Sequence, residues 1–109
     1  MGTTSQRKGR TAELELTRLL NDNGIPAVVG EPLNYGTMPD IYGVAGVHVE
    51  CKRTEQLRLA DWMKQAEDDA EKFHDGAPVI FWRKNRSPWM AFMRLEDWIR
   101  FYQKGGCDL

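Results

Sequence analysis

The sequence predicts an α/β domain in which a mixed β-sheet is flanked by helices. Segments with apolar residues at helical spacing alternate with short apolar segments, in the order α-β-β-β-α-β-β-α. The helix between the third and fourth strands would be a crossover, so these strands should be parallel if they share a sheet. The chain has 109 residues, of which 41% are hydrophobic, and this suits a single domain over residues 1–109. We expect residues 1–5 and 105–109 to be flexible.

The bounds of the elements follow from capping residues and hydrophobic periodicity. Ser5 suits the N-cap of the first helix and Asn23-Gly24 its end, and Ala12 and Leu16 lie on its apolar face. Glu13 falls at the border of that face. The other two helices are expected at residues 59–73 and 96–103, and the strands at residues 25–30, 40–43, 47–52, 78–83 and 89–94.

The third strand alternates strictly between apolar and polar residues. Its apolar face carries Val47, Val49 and Cys51, and its polar face carries His48, Glu50 and Lys52. The apolar face is expected to enter the core, and the polar row is where chemistry could take place. We expect His48 to be a surface residue; contact with a phosphate or support of a site is the alternative.

A cation site can be built from Asp40 and Glu50. Asp40 begins the second strand, and hairpin pairing would place its carboxylate within ~5 Å of that of Glu50. Carboxylates this close repel each other unless a cation lies between them, and oxygen ligands suit Mg²⁺ or Mn²⁺ better than zinc. The ammonium of Lys52, on the same strand face, could orient a water and offset charge on a phosphate. A solvent-facing strand with a surface ion pair fits the same spacing.

Charge gives no general signal for binding to nucleic acids. The net charge is −1, whereas a nucleic-acid binder usually carries an excess of Lys and Arg. Binding would depend on two local clusters, Arg7, Lys8 and Arg10 near the start and Arg83, Lys84 and Arg86 in the second half. Solvated helix or strand faces would have the same composition.

Three motifs in this order resemble those of the PD-(D/E)XK nuclease superfamily, and within it those of the small archaeal Holliday junction resolvases and their phage-encoded relatives. They are Lys8-Gly9-Arg10-Thr11-Ala12-Glu13, Met38-Pro39-Asp40 and Val49-Glu50-Cys51-Lys52. The resemblance implies a restriction-endonuclease-like fold, with a mixed central sheet between helices. It also implies a homodimer that hydrolyses DNA phosphodiesters with Mg²⁺ or Mn²⁺ and makes paired cuts in branched DNA during recombination.

The resemblance also implies roles for individual residues. Asp40 and Glu50 would bind the metal together with the backbone carbonyl of Cys51. Lys52 would be the catalytic lysine, and Glu13 would complete the acidic set directly or through a water.

Several further residues are candidates for contacts with DNA or for support of the site. Gln65 resembles a glutamine that some nucleases of the superfamily place near the metal, although an ordinary exposed residue fits as well. His48 is the second candidate for support. Trp89 and the Phe101-Tyr102 pair could form a dimer patch. The candidates for contacts with the DNA backbone are Arg7, Lys8, Arg10, Tyr35, Thr37 and Arg53.

Other functions remain open at this stage. The target could instead be DNA in restriction, repair or replication, or the chain could be a non-cutting DNA-binding module, or a protein–protein adaptor. The sequence contains neither a signal peptide nor a run long enough to span a membrane. With only two cysteines, this predicts a cytoplasmic location in a bacterial, archaeal or phage-infected cell.

Overall fold

The computed structural model describes residues 3–31 and 37–105, with side chains described from residue 9 onward within these ranges. The helices are α1 (Thr3–Asp22), α2 (Leu59–Phe73) and α3 (Leu95–Gly105), and the strands are β1 (Val28–Val29), β2 (Ile41–Tyr42), β3 (Val47–Arg53), β4 (Ala77–Arg83) and β5 (Met90–Met93). The predicted order of elements is therefore confirmed. The N-cap prediction for Ser5 was wrong, because α1 begins two residues earlier and Ser5 lies inside it.

Two sheets form within the described residues. β3, β4 and β5 make a three-stranded mixed sheet in which β3 and β4 are parallel, with Glu50 opposite Ile80. β4 and β5 are antiparallel, with Ile80 opposite Phe92. β1 and β2 form a separate antiparallel ribbon, with Val29 opposite Ile41, and β2 lies against β3. The predicted fold class, a mixed sheet flanked by helices, is confirmed.

Both faces of the main sheet are covered by helices. On one face α1 packs against β3, where the buried core consists of Leu16, Ala27, Ile41 and Val49. On the other face α2 packs against β4 and β3 around Trp62, Ala66 and Ile80. The polar row of β3 therefore faces α2.

The prediction that His48 lies at the surface was wrong. The residue is only 2% exposed. Alternation along a strand distinguishes its two faces but does not reveal whether a helix covers the polar one. Here the crossover helix α2 covers that face, because the parallel pairing of β3 and β4 brings it back across the sheet.

Helix α3 is attached by charged residues and exposes apolar ones. Asp97 is fully buried and accepts hydrogen bonds from Arg94 and Arg100, and Arg94 also pairs with Glu67 of α2. Meanwhile Leu95 is 69% exposed and Trp98 is 49% exposed. The amphipathic pattern of this helix thus marks a face that the described part of the chain leaves uncovered. No helix in residues 3–31 or 37–105 is long and apolar enough to cross a membrane.

A glycine fixes the turn between α2 and β4. Gly76 has a φ of +137°, and a Cβ there would lie 2.2 Å from the carbonyl carbon of Gly46, just before β3. The amide of Ala77 donates to the carbonyl oxygen of Gly46 at 2.9 Å. Only glycine allows the two backbones to approach this closely.

Gly76→Ala should therefore lower the free energy of unfolding by roughly 2 kcal/mol or more, through backbone strain and steric overlap. Urea titration measures the loss. Gly9→Ala is the matched control. Gly9 lies in α1, and no atom of the described residues comes within 4 Å of the added methyl group, so this change should raise stability by up to about 1 kcal/mol. Equal stability of Gly76→Ala and wild type would contradict this account of the turn.

Candidate metal centre and active site

Glu50 lies at the centre of the polar row of β3. Its Oε1 is 3.2 Å from His48 Nε2, and its Oε2 is 3.8 Å from Lys52 Nζ. The side chain is mostly buried between the sheet and α2. Glu50 is thus held from two sides while its carboxylate remains at the wall of a pocket.

Asp40 is positioned by close backbone contact between β1 and β2. The amide of Gly30 donates to the carbonyl oxygen of Asp40 at 2.7 Å. A Cβ on Gly30 would lie 2.9 Å from the carbonyl oxygen of Pro39, so the approach requires glycine or a shift of the chain. Loss of water around the Asp40 carboxyl raises its pKa, although the residue as a whole is exposed, and the charge of Glu50 raises it further.

Glu13 brings a third carboxyl from α1. The residue is only 9% exposed, and its burial, the charge of Asp40 and a hydrogen bond to Asp40 raise the pKa of Glu13 to about 7. Arg10 acts in the opposite direction and the charge of Glu50 adds to the rise. The sequence placed Glu13 at the border of the apolar face, and the structure places it within the buried region, next to Asp40.

The donor set fits a hard divalent cation. Oε1 of Glu13 is buried and finds no hydrogen-bond partner among the described residues, and such an orphaned atom is costly unless a ligand satisfies it. The pKa values of Glu13 and Asp40 are both raised because negative groups crowd together out of water, and a cation would relieve this. Burial also raises the pKa of the Cys51 thiol, so the thiol stays protonated and is unsuited as a ligand.

Lys52 lies beside this acidic set, as its place on β3 predicted. Its ammonium is 3.8 Å from Glu50 and lies over the Trp62 ring, 5.9 Å from the ring centre. The aromatic ring and the carboxylate both attract the ammonium and so fix its position. The group is therefore placed to act as a fixed positive charge.

Sequence reasoning missed Asp69 of α2. Its carboxylate lies close to His48 and Glu50. One potential ligand atom from each of these three residues lies within 4.8 Å of the other two. Asp69 and Gln65 are four residues apart on α2, and both line a pocket of about 270 Å³ together with Asp40 and Glu50. The spacing of four from Gln65 on α2 is the signal in the sequence that could have revealed Asp69. The prediction that Gln65 supports the site is consistent with its place in the pocket wall.

The comparisons with known proteins agree with this geometry. The profile of the archaeal Holliday junction resolvase (hjc) family matches residues 4–104. The chain belongs to this family.

Among solved structures, the chain is similar to Hjc, a Holliday junction resolvase from the archaeal hyperthermophile Archaeoglobus fulgidus. The sequences are 25% identical, the TM-score is 0.58, and the match covers 79% of this chain and 72% of the other. A search of curated proteins found no significant match. The predicted membership of the PD-(D/E)XK superfamily, and of its resolvases, is thereby confirmed.

The predicted enzyme class follows from this membership. Resolvases of the archaeal family are endodeoxyribonucleases, so the prediction of a nuclease for branched DNA is confirmed at the level of the family. Nucleases of this family use a divalent metal, and the acidic pocket is the place in the described chain that suits one.

In this member of the resolvase family, both described arginines that were predicted to bind DNA, Arg10 and Arg53, have partners within the protein. Arg10 donates to the carbonyl oxygen of Gly30 and so ties α1 to β1. Arg53 donates to Asn85 at 3.2 Å and lies 3.9 Å from Glu15. Thr37 is exposed just before Asp40. Tyr35 and the side chains of Arg7 and Lys8 lie outside the described residues, so their contacts with DNA remain predictions.

The second basic cluster and the predicted dimer patch are partly used inside the fold. Arg83 makes two hydrogen bonds to Glu15 of α1, at 2.6 and 2.9 Å, and Trp89 donates to Glu15 at 3.0 Å. Trp89 also packs against the α1 core, and its place in a dimer patch stays a prediction. Lys84 and Arg86 remain exposed.

The raised pKa of Glu13 predicts how stability depends on pH. Because the folded protein holds a proton that the unfolded chain releases above pH 4.5, the free energy of unfolding without metal should fall between about pH 5 and pH 8. In Glu13→Gln, the free energy of unfolding should fall by about 1–3 kcal/mol less than in the wild type over the same pH range. Urea titrations in EDTA at several pH values measure it.

The matched control is Glu71→Gln, which removes an exposed carboxyl from α2 and should leave the pH profile of the wild type unchanged. Parallel profiles for Glu13→Gln and the wild type would show that Glu13 does not carry the coupling.

Proposed function

We propose that the chain is a metal-dependent endonuclease that hydrolyses phosphodiesters in branched DNA, with Holliday junctions as its main substrate and Mg²⁺ or Mn²⁺ as its cofactor. The observation that carries this proposal is the convergence of Glu13, Asp40 and Glu50 beside the Lys52 ammonium. Family membership supports the substrate, and the three carboxylates support the choice of metal. The enzyme would act in the cytoplasm, where its DNA substrate is found.

Each residue has a distinct task in this proposal. Asp40, Glu50 and the backbone carbonyl of Cys51 would hold the cation, and the orphaned oxygen of Glu13 would complete the set directly or through a water. When bound, the cation supplies an activated water and stabilises charge on the phosphate oxygens.

The Lys52 ammonium orients the incoming phosphate and offsets the charge that develops on it. Its neighbour Glu50 and the ring of Trp62 restrict where that charge can lie. Asp69 and Gln65 form the α2 wall of the pocket and are placed to contact the cation or its waters.

We also propose that the enzyme is a homodimer that associates through α3 and β5. The exposed apolar side chains of these elements are Met90, Leu95, Trp98, Ile99, Phe101 and Tyr102. Two of them, Leu95 and Trp98, line an apolar groove of about 900 Å³ between α2, β5 and α3. Two symmetric copies would bury this surface and present two active sites, as paired cuts in a junction require.

Cleavage of DNA by site variants tests the proposed activity. Asp40→Asn should reduce the rate of cutting of a four-way junction by a factor on the order of 10³, since a metal ligand is lost. Lys52→Met should reduce it by about 10²–10³ without weakening metal binding. Single-turnover assays with Mg²⁺ and Mn²⁺ measure both.

The controls match these changes in charge. Asp68→Asn and Lys64→Met alter exposed residues of α2 and should cut at the wild-type rate. Junction, linear duplex and single-stranded substrates are compared in parallel. Preference for linear duplex would instead favour a restriction, repair or replication nuclease, and junction binding by pure wild-type protein without cutting would favour a binding module.

The dimer proposal predicts a change in mass in solution. Wild-type protein should sediment at twice the chain mass, and Trp98→Glu should sediment as a monomer because charge is placed in the apolar face. Leu14→Glu is the control, since Leu14 is similarly exposed but lies on α1. A wild-type monomer at concentrations that cut junctions would contradict the proposal.

A further inference from the structure

We propose that His48 and Asp75 form a positioning brace that holds Glu50 in the orientation in which it binds the cation. The brace runs from the end of α2 through a buried imidazole to the carboxylate of Glu50. This inference rests on the proposed function, because it assigns a purpose to groups that touch a proposed metal ligand. Neither His48 nor Asp75 is itself given a role as a ligand.

The contacts form a continuous chain across the imidazole ring. Nδ1 of His48 lies 3.0 Å from Oδ1 and 2.9 Å from Oδ2 of Asp75. Nε2, on the other side of the ring, lies 3.2 Å from Oε1 of Glu50. Since both ring nitrogens are engaged, rotation of the ring would break both contacts at once.

The packing around His48 makes the ring a rigid element. Its ring lies nearly parallel to that of Phe73 at the end of α2, with 6.2 Å between ring centres and 15° between planes. With only 2% of the residue exposed, solvent cannot compete for its nitrogens. A buried side chain of this kind loses its rotamer freedom when the protein folds, so its orientation is already fixed before the cation binds.

Asp75 is fixed by the backbone on both sides. His74 ends α2 in the left-handed conformation, with a φ of 52°, and its amide donates to the carbonyl oxygen of Ala70 at 2.8 Å. Gly76 follows and packs directly against the backbone of Gly46. The turn thus delivers the Asp75 carboxylate to the His48 ring with little freedom to move.

The brace counteracts electrostatic repulsion between Glu50 and Asp40. The charge of Asp40 interacts with that of Glu50, and without a cation this repulsion favours turning the Glu50 carboxylate away. The hydrogen bond from His48 holds Oε1 in place, while Oε2 faces Lys52. Groups that orient metal ligands in this way change metal affinity by about 10–100-fold.

Direct measurement of Mn²⁺ binding without DNA tests the brace. Asp75→Ala should weaken Mn²⁺ binding by about 10–100-fold, by calorimetry or by electron paramagnetic resonance of free Mn²⁺. Asp75→Asn, which keeps an oxygen acceptor for the imidazole, should recover most of the affinity. At saturating Mn²⁺, junction cleavage by Asp75→Ala should approach the wild-type rate, because the ligands themselves are intact.

Glu15→Gln is the control for a merely structural effect. It weakens the contacts between Glu15 and both Arg83 and Trp89, so it should lower the melting temperature while leaving Mn²⁺ affinity unchanged. Melting temperatures of all metal-free variants are measured alongside the binding. Asp75 is partly exposed, and Asp75→Asn provides a second variant should Asp75→Ala fold poorly.

The outcomes separate this inference from the proposed function. If wild-type protein binds Mn²⁺ and Asp75→Ala binds it equally well, the brace is wrong and the metal site stands. If affinity falls only in step with melting temperature, as in Glu15→Gln, the role of Asp75 is structural and the brace is again wrong. If wild-type protein takes up no Mn²⁺, the proposed metal site and the brace both fail.

Discussion

Crowding of negative charge at one place is the constraint on which the site depends. Glu13 comes from α1, Asp40 from the start of β2 and Glu50 from β3. Besides burial, the charges of Asp40 and Glu50 raise the pKa of Glu13, and the charge of Glu50 raises the pKa of Asp40. Burial and then the charge of Asp40 raise the pKa of Glu13 to about 7, and no group of the described residues bonds to its buried Oε1. Such an arrangement is stable only because the surrounding fold holds it, and a bound cation would turn the repulsion into attraction.

The fold holds the charges by covering both faces of β3. Helix α1 delivers Glu13 on one side, and α2 closes the other side with Asp69 and Gln65 in the pocket wall. Helix α2, the crossover that makes β3 and β4 parallel, therefore also forms one wall of the acidic pocket. Its C-terminal end also leads into Asp75, which reaches Glu50 through the buried imidazole of His48. Helix α3 contributes differently: its buried Asp97 holds Arg94, which pairs with Glu67 of α2, while its apolar residues face outward.

Local pattern predicted much of this architecture. The bounds of α2, the parallel pairing of β3 with β4 and the shared face of Glu50 and Lys52 all follow from hydrophobic period and element order. What the pattern could not predict depends on contacts distant in sequence. His48 looked exposed because a strand's alternation does not show what packs on its polar side.

Two further differences have the same origin. Asp69 is one of several acidic residues of α2, and the sequence does not show which turn of that helix faces the pocket. The sequence suggested Trp89 for a dimer patch. It could not show that the indole of Trp89 donates a hydrogen bond to Glu15, because the two residues lie 74 positions apart. A crystal structure with Mn²⁺ tests the central claim most directly. The account predicts an anomalous peak between Asp40 and Glu50, within about 2.0–2.4 Å of an oxygen of each. A structure in which Mn²⁺ binds only at exposed carboxylates elsewhere, with the pocket filled by water, would contradict it.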